Sequence, residues 1–375
     1  MSDYQFPYKD AAFLFEHVLE FDRMCSDAGL EDVNNELATA ILEEAARFGS
    51  EVLAPLNVIG DEKGATLGEN GVQETAGFAD AYRQFIDNGW ASLGAEEEHG
   101  GQAMPRTLGA AVEEVWDTCN VSFSLCPLLT TGAIEAINAH ASDELKETYL
   151  PDMVSGEWTG SMCLTESAAG SDLAAVTTRA VPEDDHYLLT GQKIFITWGD
   201  HQMTENVIHL VLARLPDAPA GVRGISLFLV PKFLLDENGR PGKRNDVYCV
   251  GVEHKLGIHG SPTCTMSFGD NGGAVGYLIG KPHNGLMAMF TMMNEARQGV
   301  GIQSLGVSER SYQQALAYAK ERLQGTRSDG TRFPIIEFPD VRRMLMLMKA
   351  ATEAMRGLVY FAAAEGDLER AAKSP

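Results

Sequence analysis

The spacing of apolar residues changes twice along this chain, and that pattern constrains its fold more than any other feature. In 36–53, ELATAILEEAARFGSEVL, the residues Leu37, Ile41, Ala45 and Phe48 recur three and four positions apart, the mark of one helix face. Further helical windows cover about 76–88, 105–118, 129–140 and 142–154, punctuated by Gly and Pro as at Glu98-His99-Gly100-Gly101 and Cys126-Pro127. Ser142 stands as N-cap to the last of them. From Gly156 to about 280 the chain is richer in Thr, Val and Ile, with alternating or short apolar runs. Candidate strands are 159–166, 186–199, 206–215, 224–231 and 262–268, divided by clusters such as Asp236-Glu237-Asn238-Gly239. The helical period returns over 285–323, gives way to a polar, Gly- and Arg-rich loop at 324–333, and resumes over about 338–365. Helices, then strands, then helices imply an α+β chain with segregated modules. The expected parts are an N-terminal helical domain (1–157), a central antiparallel, barrel-like β domain (158–280) and an incomplete C-terminal helical bundle (281–375).

Charge excludes whole classes of partner. Against 53 Asp and Glu stand 29 Lys and Arg, a net charge of −24. Nucleic acid and anionic lipid both require clustered basic residues, so neither is an expected partner. No apolar run approaches the ~18 residues of a membrane span. Asp3, Asp10 and Glu16 occupy the stretch where a targeting peptide has a basic head. The six cysteines form no C-x-x-C pair, which favours a reducing, cytoplasmic setting.

Several chemistries lack their residues. No G-x-G-x-x-G follows a strand, so a nicotinamide site of the doubly wound kind is not expected. His254 and His259 are five apart, not the four that places two ligands on one helical face. GYLIGK (276–281) is one residue short of a phosphate loop, and Pro282 stands where Ser or Thr belongs. No G-x-S-x-G elbow occurs.

Two stretches are richer. LTESAAGSD (164–172) ends a strand in a loop of small residues, where Ala168, Ala169 and Gly170 permit close backbone approach. Ser171 adds a hydroxyl and Asp172 a turn acceptor. GQKIFITWGD (191–200) carries Phe195 and Thr197 two apart on one strand face, an aromatic ring and a hydroxyl able to wall a planar cofactor. Read alone, the first stretch is more simply a β-to-turn junction and the second a half-buried strand with its normal alternation.

Taken in order, MCLTESAAGSD and GQKIFIT resemble the flavin-binding β domain of the acyl-CoA dehydrogenase family. KLGIHGSPTC (255–264), GKPHNGLMAMF (280–290), Arg297 in the first long C-terminal helix and Glu321-Arg322 at its end are similar to further motifs of that family. The resemblance extends over nearly the whole chain. Within the family it is closest to the large branch that includes methylmercaptopropionyl-CoA dehydrogenases, on EVLAPLN (51–57), LPDMVSGEWTGSMCLTE (150–166), KFLLDENG (232–239) and PDVRRMLM (339–346).

That resemblance implies FAD on the β domain, held by Met162, Leu164 and Thr165 from one strand and by Phe195, Ile196 and Thr197 from another. It implies that Thr197 sits near flavin N5, that Ser171 contacts the thioester arm, that Arg297 lies on the substrate side, and that Arg322 reaches the FAD diphosphate of a neighbouring subunit in a homodimer. Electrons would pass to an electron-transfer flavoprotein. The sequence departs from the pattern at the base. Ala296 stands where one group of members has its glutamate, and Glu295 is one residue early, turned by about 100° on a helix. The other family position is a late loop, and the chain stops short of it, so no catalytic carboxylate is expected within it and the chain reads as C-terminally truncated. The two long helices carry apolar residues nearly all round, from Met287, Met289, Phe290, Met292 and Met293 to Met344, Leu345, Met346, Leu347 and Met348. A bundle normally needs about four helices to bury such surfaces. Competing readings are a non-catalytic flavin- or acyl-CoA-binding relative, a DNA-damage-response homologue and a cofactor-free assembly fragment.

Overall fold

The structure, a computed structural model, describes residues 4–373. In chain order the elements are helices α1 (Tyr8–Phe13), α2 (Phe21–Asp27), α3 (Asn35–Phe48) and α4 (Ala54–Lys63), hairpin strands β1 (Thr66–Gly68) and β2 (Gly71–Gln73), then α5 (Phe78–Asp87), α6 (Arg106–His140) and α7 (Asp143–Ser155). Strands follow: β3 (Trp158–Cys163), β4 (Arg179–Glu183), β5 (His186–Thr197), β6 (Asn206–Arg214), β7 (Ile225–Pro231), β8 (Phe233–Leu235), β9 (Pro241–Arg244), β10 (Val247–Val252), β11 (Thr263–Phe268) and β12 (Ala274–Ile279). Helix α8 (Gly285–Glu321), hairpin β13 (Leu323–Thr326) and β14 (Arg332–Pro334), and α9 (Pro339–Lys373) complete the order. The segment expected as a loop at 324–333 is therefore mostly hairpin. Its turn is closed by Gly330 at φ +86°, and Arg327 N–H donates to Thr331 O at 2.8 Å. The windows 105–118 and 129–140 belong to one helix, α6, broken locally at Asn120 (φ −160°, ψ 87°).

By packing, the described chain divides into two compact units that cut across the expected three-part order. One comprises 1–55, 104–121 and 298–375, the other 56–103 and 122–297. The first unit is helical. Its core stacks Phe15 on Phe21 at 4.7 Å and holds a fully buried Arg356 between Glu114 and Glu309, each at 2.7 Å. Tyr360 Oη donates to the same Glu114 carboxylate at 2.6 Å, so the buried guanidinium is compensated by two carboxylates. The Asp367 carboxylate accepts from the Arg106 and Thr107 N–H groups at 2.7 and 2.9 Å, satisfying amides that the first turn of α6 leaves open. Met346, Leu347 and Leu358 of α9 remain exposed.

The second unit is built on an eight-stranded sheet of order β10-β11-β5-β12-β7-β6-β3, with β4 paired to β5 and β6. The expected antiparallel sheet holds for most pairs but not at the β3 edge, where β3 runs parallel to β6 from Trp158↔Asn206 to Cys163↔Val211. The β4–β5 excursion between them brings the chain back in its starting direction. Both sheet faces are covered. One packs Trp158, Leu210, Leu229, Met289 and Met292; the other packs Cys163, Ile196, Val211, Phe228 and Phe268. Double coverage explains why ISLFLVP of β7 is buried at every position rather than alternating.

Candidate functional site

The geometry begins with an irregularity in β5. Against β11, Ile196 pairs with Cys264 and Lys193 with Met266, so Ile194 and Phe195 together oppose Thr265 alone. This is a β-bulge, and Phe195 takes its cost in a left-handed backbone at φ +59°. Strict alternation would have put Lys193, Phe195 and Thr197 on one face. The extra residue instead turns Lys193 (0% exposed) and Ile196 (2%) inward and sends the Phe195 ring out, 58% exposed. Phe195 and Thr197 do share a face, as the spacing implied.

The bulge also frees the Ile194 amide from the ladder, and it donates to Thr165 O at 2.9 Å. That bond ties the end of β3 to β5. Cys163 and Ile196 pack in the same cluster, so their chain neighbours Met162, Leu164, Phe195 and Thr197 lie on the opposite side of the sheet. The half-buried Met162 and Leu164 add apolar surface on that side of the sheet. The hydroxyls of Thr165, Ser171 and Thr197 make no hydrogen bond among the described residues. An apolar plate with an outward aromatic ring and uncommitted hydroxyls suits a planar heteroaromatic ligand with polar edges. Ile196 offers only its backbone to that side, since its side chain is in the core.

A buried ion pair fixes this wall. Lys193 Nζ donates to Glu166 Oε1 at 2.8 Å and to Leu164 O at 3.0 Å. Glu166 also accepts from the N–H and hydroxyl of both Thr177 and Thr178, at 2.6 to 3.0 Å. Burial pushes the Glu166 carboxyl up, but the Lys193 charge and these donors outweigh it and hold it at about 2. Gly191 makes the approach of Thr178 possible, because a Cβ there would stand 2.5 Å from Thr178 Oγ1 and 2.9 Å from its Cα. Glu166, Lys193, Thr177 and Thr178 were not read as functional from the sequence. The available signal was a lysine at an inward position of an apolar strand, GQKIFIT, which demands a buried partner.

No hydrogen bond or ring contact among the described residues joins Ser171, Arg297 or Arg322 to Phe195 or Thr197. Ser171 is exposed on the loop after β3. Arg297 donates to Asn294 Oδ1 at 2.7 Å and lies 5.6 Å over the Phe290 ring, on its own helix. Ala296 and Glu295 precede it, both half-buried. Arg322 belongs to the other compact unit, where its side chain reaches Gln324 at 3.2 Å. His254 and His259 stack at 6.1 Å, and both His259 ring nitrogens meet carbonyl oxygens, of Asp61 and Lys255, at 2.7 Å. Among the described residues no group of three His, Cys, Asp or Glu is placed to hold a metal ion. No helix of the described residues is long and apolar enough to cross a membrane.

Comparison with known proteins accounts for this arrangement. Family models match in order: acyl-CoA dehydrogenase N-terminal domain at 35–157, middle domain at 161–271 and C-terminal domain at 283–374. The chain is 48% identical over 359 residues to 3-methylmercaptopropionyl-CoA dehydrogenase of Ruegeria pomeroyi, covering 95% of this chain and 60% of that one. The solved structure of butyryl-CoA dehydrogenase from Megasphaera elsdenii superposes with a TM-score of 0.73 at 25% identity, covering 89% of this chain and 80% of that one. A structure described as the electron transferring flavoprotein of Acidaminococcus fermentans superposes with a TM-score of 0.72 at 26% identity, covering 88% and 79%. The chain spans about three fifths of the length of two curated relatives it matches, 60% and 61%.

Proposed function

This chain belongs to the acyl-CoA dehydrogenase family, and we propose that it carries the flavin wall and part of the thioester side of an FAD-dependent α,β-dehydrogenase of acyl-CoA. The observation that carries the reading is the bulge at Ile194–Phe195. It presents an aromatic ring and the Thr197 hydroxyl on the same side of the sheet as Met162 and Leu164. Bound FAD would supply the hydride-accepting chemistry for the substrate β-hydrogen. Met162, Leu164 and Phe195 would bear on its ring system, Thr165 and Thr197 would hydrogen-bond its polar edge, and the Ile196 backbone would complete the contact. Ser171 and Arg297 would face the acyl-CoA, and Arg322 would reach the FAD diphosphate of the second subunit of a homodimer. A guanidinium suits that role through its planar fork.

Loss of the substrate α-proton needs a carboxylate beside the α-carbon. Ala296 has no acid function, and Glu295 points about 100° away around the helix. The base of the whole enzyme is therefore assigned outside this helix. The product is a trans-2-enoyl-CoA, with an electron-transfer flavoprotein as acceptor. The expected parts are an N-terminal helical domain (1–157), a flavin-binding β domain (158–280) and a partial C-terminal helical domain (281–375), in a cytoplasmic protein. Names of relatives favour short thioesters, butyryl or 3-methylmercaptopropionyl. To test this, the FAD-reconstituted chain is titrated with butyryl-CoA and 3-methylmercaptopropionyl-CoA while the flavin spectrum and dye-coupled turnover are recorded. The expected result is a flavin band that shifts with acyl-CoA, with turnover no higher than in Glu295→Gln. A chain that takes up no FAD, or turnover abolished by Glu295→Gln, overturns the assignment.

A further inference from the structure

Helix α9 is buried along one side, through Leu345, Thr352, Arg356, Tyr360, Ala363 and Asp367. Met344, Leu347, Ala351, Ala354, Leu358 and Phe361 are exposed, the four large ones at 49% to 68%. Their spacing alternates strictly between three and four, which is the a/d seam of a coiled coil. At about 100° per residue this seam lies opposite the buried side. Ala350, Met355 and Ala362 flank it, so the face from Met344 to Ala362 carries no charge in a chain of net charge −24. Lys349, the exposed charge in that span, turns away towards Asp10 at 3.8 Å.

The symmetry of the seam points to what covers it. Counted from the point between Thr352 and Glu353, Met344 and Phe361 are equally far, as are Leu347 and Leu358, and Ala351 and Ala354. A two-fold axis through that point lays each large residue on a large one and alanine on alanine. The central alanines let two backbones come close, and the large residues interlock on either side. Charges resume at the ends, with Asp340 and Arg343 before the seam and Glu365 after it. In an antiparallel pair Arg343 of one copy comes within a turn of Glu365 of the other. Such a face is self-complementary, as the contact of a two-fold dimer must be. The seam is about 27 Å long and offers about 600 Å² per copy, about 1,200 Å² in all, which reaches the range of stable interfaces. We propose that this face of α9 pairs antiparallel with the same face of a second copy of this chain. The proposal does not rest on the flavin reading.

Sedimentation velocity over a concentration series of the purified chain reads the mass, and circular dichroism on the same samples reads the fold. Wild type should form a concentration-dependent oligomer of even number. Leu347→Lys alone and Leu358→Glu alone should each halve its mass, weakening association at least about tenfold. Both sites are exposed, so the helical signal should not change. In the antiparallel pair Leu347 faces Leu358 of the partner subunit. The double variant Leu347→Lys/Leu358→Glu then sets Lys against Glu twice and should recover association. A chain that is monomeric throughout overturns the proposal, as does an oligomer that both single variants leave intact. A double variant that associates no better than the singles overturns the antiparallel pairing.

Discussion

Replacing Lys193 by Met removes the ammonium that neutralises a buried carboxylate. Lys193 is 0% exposed and Glu166 6%, at 2.8 Å. Breaking such a pair from one side costs about 3–5 kcal/mol, because the remaining charge is left in a poor solvent. The depressed acidity gives a second route to the magnitude. Glu166 titrates at about 2 against an ordinary 4.5, which corresponds to about 2–3 kcal/mol once residual solvent access is allowed for. The two routes meet near 3 kcal/mol. The sign with pH follows from the lowered acidity: the Glu166 contribution is whole above its unfolded value near 4.5 and is lost as pH falls towards 2. Lys193→Met should therefore cost about 3 kcal/mol at pH 7 and progressively less in acid. Urea unfolding followed by tryptophan fluorescence reads this, since Trp158 and Trp198 are buried in the same unit. Glu166→Gln alone should also destabilise, and the double variant should recover at least about 1 kcal/mol relative to the sum of the singles. A single-variant cost below about 1 kcal/mol, or strict additivity, would refute the claim that this pair holds the wall.

Three further outcomes follow from the geometry. Phe195→Ala should leave urea stability within about 0.5 kcal/mol, because the ring is exposed, while weakening FAD binding by about tenfold in a fluorescence titration. His209 is fully buried, with Nδ1 2.7 Å from Ser161 Oγ, and burial lowers it to about 3; the unfolded chain therefore binds its proton first, and stability should fall by about 2 kcal/mol between pH 7 and 5, a loss largely absent in His209→Gln when urea midpoints are compared. His259 is raised by its hydrogen bonds to the Asp61 and Lys255 carbonyls; its clamp should be complete below its ordinary value of 6.5 and lost as pH rises through the raised one, which an NMR titration of its ring protons reads as a midpoint above that of a model histidine.

Much of the fold was legible because long periodic segments announce themselves. The helix at 285–321 and the strands at 186–197, 206–214 and 225–231 lie within a few residues of where the apolar spacing put them, while the last helix starts where expected but continues past the expected end at about 365 to Lys373. Short strands escaped. β4 reads RAVPE, polar enough to pass for loop, and β12 overlaps the stretch weighed as a phosphate loop. The parallel β3–β6 pair escaped because local pattern carries no information on the direction of a distant neighbour. At the site, GQKIFIT yielded Phe195 and Thr197 on one face. It did not yield the bulge, which depends on a register with β11 some seventy residues later. Nor did it yield the Glu166 partner of Lys193, because pairing across a 27-residue separation is a tertiary fact.

The most direct test of the flavin wall is an FAD titration of the purified apo chain beside the Phe195→Ala/Thr197→Val double variant, with urea midpoints measured on the same samples. The account predicts saturable binding of one FAD per wild-type chain, at least tenfold weaker binding in the variant, and matching urea midpoints. Equal FAD affinity in the two folded proteins would contradict it.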